Sequence, residues 1–212
     1  MPSVSISRSR FARKSQHKTS FNLGEITPIY CDEVLPGDTR SFDMASLVRM
    51  STPIAPIMDN IYIDYYAFFC PNRLTWTHWK EFMGENNTSA GIPSSTYTIP
   101  YVGGSSSQSP GVFSLPDSVW DHFGLPIISI SSGGSDLNKY KVSALPFRAL
   151  ALIYNRWFRN QNIIAPLAFQ TGDTNEILVG ELSSSMGMKF LKASGNLKAS
   201  KLADYFTKSL PF

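Results

Sequence analysis

Charge is scarce in this sequence: 17% of its 212 residues are Asp, Glu, Lys or Arg, against about 25% in an ordinary soluble domain. So few charges beside 42% hydrophobic residues imply extensive buried contact, including contact with other chains. Cysteine is scarcer still. Cys31 and Cys70 sit in apolar, strand-like segments without metal-type spacing. That excludes a multi-disulfide framework and reads as two reduced, buried small hydrophobes, with a disulfide between them as the lesser alternative. No unbroken apolar run reaches the about 18 residues of a membrane span, and MPSVSISRSR at the amino terminus has no secretory core. The expected compartment is a cytoplasm, and the glycosylation sequons within 86–89 are then chance matches.

Catalytic equipment is missing too. His17, His78 and His122 have no Cys, Asp or Glu at ligand spacing, so no metal or other cofactor is expected. There is no G-x-S-x-G elbow, no G-x-x-x-x-G-K phosphate loop and no G-x-G-x-x-G after a strand. Asp32 and Glu33 adjoin a turn, where solvated acids are ordinary. The sequence is expected not to be an enzyme.

What is present begins with a basic arm. Residues 1–24 hold Arg8, Arg10, Arg13, Lys14 and Lys18 with no acid before Glu25. The segment 1–19 is Ser-rich and poor in core-forming residues, and is expected to be extended or disordered when alone. Its partner is either a polyanion, a nucleic acid fitting through counterion release, or none, the arm then being a solubilising tail.

Residues 20–212 read as turns and strands with a few short helices, the mainly β class, at 13% aromatics, 14 Pro and 14 Gly. Leu35-Pro36-Gly37-Asp38 is a turn in which proline presets φ and glycine admits positive φ. In DNIYIDYYAFFCPN (59–72), Ile61, Ile63, Tyr65, Ala67 and Phe69 share one strand face, and Tyr62, Asp64, Tyr66, Phe68 and Cys70 the other. Both faces are largely apolar, which predicts a strand covered on both sides. The period then becomes helical. Trp76, Trp79, Phe82 and Met83 form one stripe and Gly84 a cap, a packing surface more than a cofactor box.

The Gly/Ser/Pro-rich stretches 87–114 and 129–136 are expected to be loops too polar for the core. Between them LPDSVWDHFGLP makes a short helix starting at Asp117 or Ser118, with Val119, Trp120 and Phe123 inward and Gly124 after its end. The strongest helix is LPFRALALIYNRWFRNQN. Phe147, Leu150, Tyr154 and Trp157 or Phe158 form its apolar face, and Arg148, Asn155, Arg156 and Arg159 lie opposite, as a solvated face, an interface or a phosphate-contacting strip. Residues 163–201 read as irregular, and ADYFTKSLPF as a turn of helix that breaks at Pro211. Four or five convincing strands are too few to close a large sandwich.

Four runs carry a resemblance: HKTSFNLGEITPIYCDEVLPGDT (17–39), VRMSTPIAPIMDNIYIDYYAFFCPNRLTWTHWKEFMGEN (48–86), VSALPFRALALIYNRWFRNQN (142–162) and, more weakly, DYFTKSLP (204–211), a little over two fifths of the chain. In these the sequence resembles the amino-terminal part of the major capsid protein of small single-stranded DNA bacteriophages, the microvirus family, and most closely its gokushovirus branch. The resemblance implies a viral jelly-roll β-sandwich with long inserted loops, of which this chain holds only part: an arm at 1–19 and, over 20–212, the amino-terminal part of a single capsid domain. It implies a structural, self-assembling subunit of an icosahedral virion, made in the host cytoplasm, whose shell encloses the genome. Implied partners are other copies of itself, packaged single-stranded DNA or a small basic packaging protein, and a host surface receptor met through variable loops such as 87–114.

Under that resemblance Arg8, Arg10, Arg13, Lys14 and Lys18 are interior nucleic-acid contacts, and Tyr65, Phe69, Trp76, Trp79, Phe82, Phe147, Tyr154 and Trp157 are packing and interface anchors. The competing reading is a carbohydrate-binding β-sandwich module whose exposed Tyr and Trp stack on sugar rings, which predicts monomers with glycan affinity.

Overall fold

The computed structural model describes residues 7–85, 96–103, 111–112, 119–126, 129–130, 141–177 and 197–200. Within them the chain is mostly non-helical. A three-stranded sheet places β1 (Tyr101–Gly103) between β4 (Lys141–Ser143), antiparallel with Val102 opposite Val142, and β5 (Glu176–Ile177), parallel with Val102 opposite Glu176. A separate antiparallel pair joins β2 (Gly111–Val112) to β3 (Ser129–Ile130). The helices are α1 (Trp79–Phe82), preceded by a 3-10 turn at Asn72–Leu74, α2 (Val119–His122) and α3 (Leu145–Ile153), which runs on into a π-helical turn, Tyr154–Phe158.

Three of these strands, β1, β2 and β3, correct the expectation of featureless loops over 87–114 and 129–136. Residues 96–102 read TYTIPYV, a short β-branched and aromatic island inside a polar frame, and Val102 is wholly buried. Polarity averaged over a long window hid it. Similarly, the tract expected to be irregular from 163 onward supplies β5 and the buried Leu197.

The core gathers Val102, Val119, Trp120, Leu125, Ala144, Phe147, Tyr154 and Leu197. The Phe147 ring is its hub, 4.6 Å from the Trp120 ring and 4.7 Å from that of Phe123. The amino-terminal run is tied to this body by a short ladder in which Ile26 N–H donates to the Leu197 carbonyl at 2.7 Å and Ala199 N–H to that of Gly24 at 2.9 Å. Residues 202–212 and the expected start of α2 lie outside the described residues.

The punctuation holds. Asp38 N–H donates to the Leu35 carbonyl at 3.1 Å with Gly37 at φ 86°, and Gly84 closes α1 at φ 99°. No atom lies within 4 Å of where a Cβ on Gly84 would stand, so Gly84→Ala carries only the backbone cost. It is expected to lower stability by about 1 kcal/mol, read as a shift in the urea midpoint at constant slope.

The apolar run 57–70 departs from expectation. It is extended, but no described strand pairs with it, and its rings face solvent on both sides instead of being covered. Tyr66 and Phe68 turn to the end of the long helix, where the Phe158 ring lies 5.4 Å from Tyr66 and 5.9 Å from Phe68, and Trp157 lies 5.8 Å from Phe68. All four rings stay open to solvent, Tyr66 by 55% and Phe68 by 37%, Tyr65 by 41% and Phe69 by 76%.

Candidate assembly surface and basic arm

Arg148 organises the inner side of the site. The sequence places it opposite the apolar stripe, as a surface or phosphate-binding arginine; the structure corrects this, for Arg148 is wholly buried. Its Nη1 donates to the Gly172 carbonyl at 2.9 Å and the Thr75 carbonyl at 3.3 Å, and its Nη2 to that of Thr174 at 2.8 Å. The reason lies in its neighbours. Ala144, Arg148 and Ala151 follow the i, i+4, i+7 spacing of one helical face, both alanines are wholly buried, and their small side chains leave room for the guanidinium stem. One side chain thus joins α3, the corner that follows the 3-10 turn Asn72–Leu74, and the 172–174 loop.

The same loop anchors the tryptophan corner. Trp76, also wholly buried, donates its indole N–H to Asp173 Oδ1 at 2.7 Å, and His78 Nδ1 lies 2.9 Å from that oxygen. Partial desolvation pushes the Asp173 carboxyl up, but the donors Trp76 and His78 and the charges of His78 and Arg148 outweigh it and hold the group below its usual range. Around Trp76 the Trp79 and Phe82 rings stand at 6.4 and 5.4 Å. Farther along, Asn155 clasps Leu167 in both directions, donating at 2.8 Å and accepting at 2.7 Å, and Arg159 Nη1 donates to the Ile164 carbonyl at 2.6 Å.

The expected anchors therefore fall into three groups. Trp76, Phe147 and Tyr154 are inside this chain; Trp79 is half-buried and Phe82 exposed at 40% beside them; Tyr65, Phe69 and Trp157 face outward, Trp157 by 68%. Trp157 lies within the wider-wound π turn, Tyr154–Phe158, and is exposed where its neighbour Phe158 is half-buried.

The arm, described from residue 7, is exposed and forms neither helix nor strand over 7–19, and it folds back along 26–40. Arg13 Nη1 meets both Asp32 oxygens at 3.0 and 2.9 Å, Arg40 pairs with the same carboxylate and donates to the Glu33 carbonyl, and the Tyr30 hydroxyl donates to Asp32 Oδ2 at 3.0 Å. Arg8 Nη1 donates to the Gly37 carbonyl at 3.0 Å, and Thr19 Oγ1 lies 3.0 Å from His122 Nδ1. Arg10, Lys14 and Lys18 are exposed. Asp32, read from sequence as a solvated acid beside a turn, is instead the counter-ion of this cluster, and Arg40, Tyr30 and Asp173 join as residues that sequence spacing did not single out.

Bonds from Arg40, Arg13 and Tyr30, in that order, hold the Asp32 carboxyl well below the carboxylate range. A carboxyl so lowered stabilises the attachment of the arm at every pH above its ordinary 3.8, and that contribution fades as pH falls through the lowered folded value. A carbon-13 titration of Asp32 is expected to show no midpoint near 3.8, and an Arg13→Gln, Arg40→Gln variant to move the midpoint back toward it.

The cysteines correct one further expectation. Both are free, but Cys31 is exposed and Cys70 half-buried. Desolvation, helped at Cys31 by the Asp32 charge and opposed at Cys70 by Arg156, pushes both thiols up, so they are protonated and weakly nucleophilic near neutral pH. Among the described residues no three His, Cys, Asp or Glu side chains gather at metal-binding distance, and no helix is long and apolar enough to cross a membrane.

The arm, the extended run to Pro71 and the outer side of α3 border one open cleft of about 5510 Å³, lined by Phe42, Ile57, Tyr65, Phe68, Leu150 and Trp157 among others. Ligand pockets span about 300–1,000 Å³. This space is several times that size, and aromatic and aliphatic side chains make up much of its wall.

What dominates this face is apolar surface left open to solvent. The chain belongs to a phage capsid family: the family described as Capsid protein (F protein) matches it over residues 1–212. Among its curated relatives, capsid protein VP1 of Bdellovibrio phage phiMH2K is 36% identical over 212 residues, 100% of this chain and 34% of that protein. VP1 of Chlamydia phage 1 is 34% identical over 219 aligned residues, 100% of this chain and 34% of that protein. VP1 of Spiroplasma virus 4 is 34% identical over 197 residues, 92% of this chain and 33% of that protein. The chain spans about a third of the length of the relatives it matches.

Proposed function

We propose that this chain is the amino-terminal part of a structural capsid subunit, which assembles with copies of itself into the small icosahedral shell of a single-stranded DNA phage. The observation that carries the reading is the ribbon of large apolar side chains left open to solvent along 44–69, Met44, Leu47, Ile54, Met58, Tyr62 and Phe69 among them. Monomeric proteins rarely expose a contiguous apolar patch beyond a few hundred Å², and obligate interfaces are large and apolar. Part of the ribbon is covered by the remainder of the subunit, whose strands complete a jelly-roll sandwich over 20–212 and beyond, and part by neighbouring copies. Around closed symmetry axes each patch meets a different patch of the next copy, which prevents open fibres.

In this reading Tyr65, Phe69 and Trp157 are contacts between layers or copies, while Trp76, Trp79, Phe82, Phe147 and Tyr154 hold the corner that presents them. The arm lies inside the virion with Arg8, Arg10, Arg13, Lys14 and Lys18 toward packaged DNA or a small basic packaging protein, and host-receptor contact falls to the variable loops. Before assembly the subunit resides in the host cytoplasm. The carbohydrate-binding alternative receives no support from the family match. Electron microscopy of the expressed full reading frame tests the assignment: uniform hollow or filled spheres are expected, and dispersed monomers overturn it.

A further inference from the structure

We propose that the arm and the run behind it form one platform for single-stranded nucleic acid, in which Tyr30 and Phe42 stack on bases and Arg13 and Arg40 exchange the Asp32 carboxylate for backbone phosphates. The proposal rests on the interior placement of the arm and extends it to residues outside the arm. The Tyr30 and Phe42 rings stand 5.5 Å apart, tilted by 40°, and are 45% and 58% exposed. Two aromatic faces left open to solvent beside guanidinium groups are the combination that binds single strands without sequence preference, because every base has a stacking face and every nucleotide a phosphate.

The charges are arranged for exchange. Asp32 is one carboxylate shared by Arg13 and Arg40, so the pair carries one positive charge more than its counter-ion neutralises. Arg13 is 65% exposed at the side chain, Phe11 lies open two residues before it, and Arg8 rests on a backbone carbonyl, an uncharged acceptor that a phosphate outcompetes. Glu33 and Asp38 flank the site, and they set a cost that an acidic protein partner meets as fully as a nucleic acid does. The rings decide between the two: they offer a nucleobase a stacking surface and offer a carboxylate chain nothing. Without nucleic acid, Asp32 holds the arm against 26–40, and phosphate binding releases it.

Full-length, unassembled subunits titrated with fluorescein-labelled (dT)12 at several salt concentrations test this. Phe42→Leu is expected to weaken binding about 5-fold or more at unchanged salt slope. Tyr30→Phe, which keeps the ring and drops the bond to Asp32, retains affinity. Arg40→Gln flattens the slope of log K against log salt by about 0.7. Asp32→Asn tightens binding about 2- to 30-fold, because two exposed ion pairs no longer withhold the arginines. Unchanged affinity in Phe42→Leu, weaker binding in Asp32→Asn, or displacement of (dT)12 by polyglutamate at equal charge concentration each overturns the platform. Spheres in the same preparations, scored by electron microscopy, report the assembly reading separately.

Discussion

Arg148→Met is expected to destabilise the folded body by about 3 kcal/mol or more, among the larger effects a single substitution produces. Methionine retains most of the stem volume, so the loss is not a cavity effect. It removes a charged donor group from three backbone carbonyls, those of Thr75, Gly172 and Thr174. Hydrogen bonds to a charged group are worth about 1.5–3 kcal/mol each, and buried acceptors left without donors add their desolvation cost. The local consequence is specific. With the 172–174 loop released, Asp173 no longer faces Trp76 and His78 in fixed geometry, and Thr77, which donates to the Thr171 carbonyl at 2.8 Å, loses its partner segment. Urea unfolding followed by tryptophan fluorescence, with proteolysis of the loop as second readout, checks both. Arg148→Lys keeps the charge but not the planar fork that serves two loops at once; it is expected to recover less than half of the loss. Wild-type stability in Arg148→Met would show that the buried guanidinium is incidental.

That side chain also marks where sequence reading ends. Turns and caps were legible because their signals are local: Pro36-Gly37 makes its turn, Gly84 and Gly124 adopt positive φ where the helices stop, and Val119 and Trp120 point inward as their spacing requires. The common partner of Tyr66 and Phe68 was legible in part, since a two-residue period puts both on one face; the exposure of Tyr66, 55% against 41% for Tyr65, was not. The partners of these elements were not legible. Asp173 binds Trp76 from 97 residues away and Thr19 reaches His122 across 103, separations at which no spacing rule operates. Arg148 was misplaced because residue type outweighed position: its i, i+4, i+7 relation to Ala144 and Ala151 was the available signal of an inward side chain. The central strand β1 was missed because seven suitable residues were averaged into a long polar tract. Family membership could be read from the ordered aromatic runs before any contact was known, because those runs contain both the corner and the surface it presents.

The paired change Phe69→Glu, Trp157→Glu is expected to abolish shell formation and leave the folded body intact. Phe69 and Trp157 are 76% and 68% exposed, so within this chain the cost is confined to the Trp157 contact with Phe68, and surface substitutions of this kind stay within about 0.5 kcal/mol. Between copies the arithmetic reverses. Truncating a buried interface aromatic costs about 2–4 kcal/mol, a carboxylate in its place adds desolvation, and each 1.4 kcal/mol is about a factor of ten in affinity. Two sites per contact therefore raise the concentration needed for assembly by more than about a thousandfold, which sedimentation reads as subunits that no longer enter the shell fraction. Trp76→Glu is the necessary contrast. That ring is wholly buried beside Asp173, so its replacement unfolds the corner and removes both folding and assembly. If the full-length Phe69→Glu, Trp157→Glu protein fails to fold, the rings are covered by the subunit's own remainder; if it forms shells at normal yield, they are not buried at all. Folded subunits without shells are the outcome that assigns these rings to the contact between copies, because no other surface role separates assembly from folding so completely.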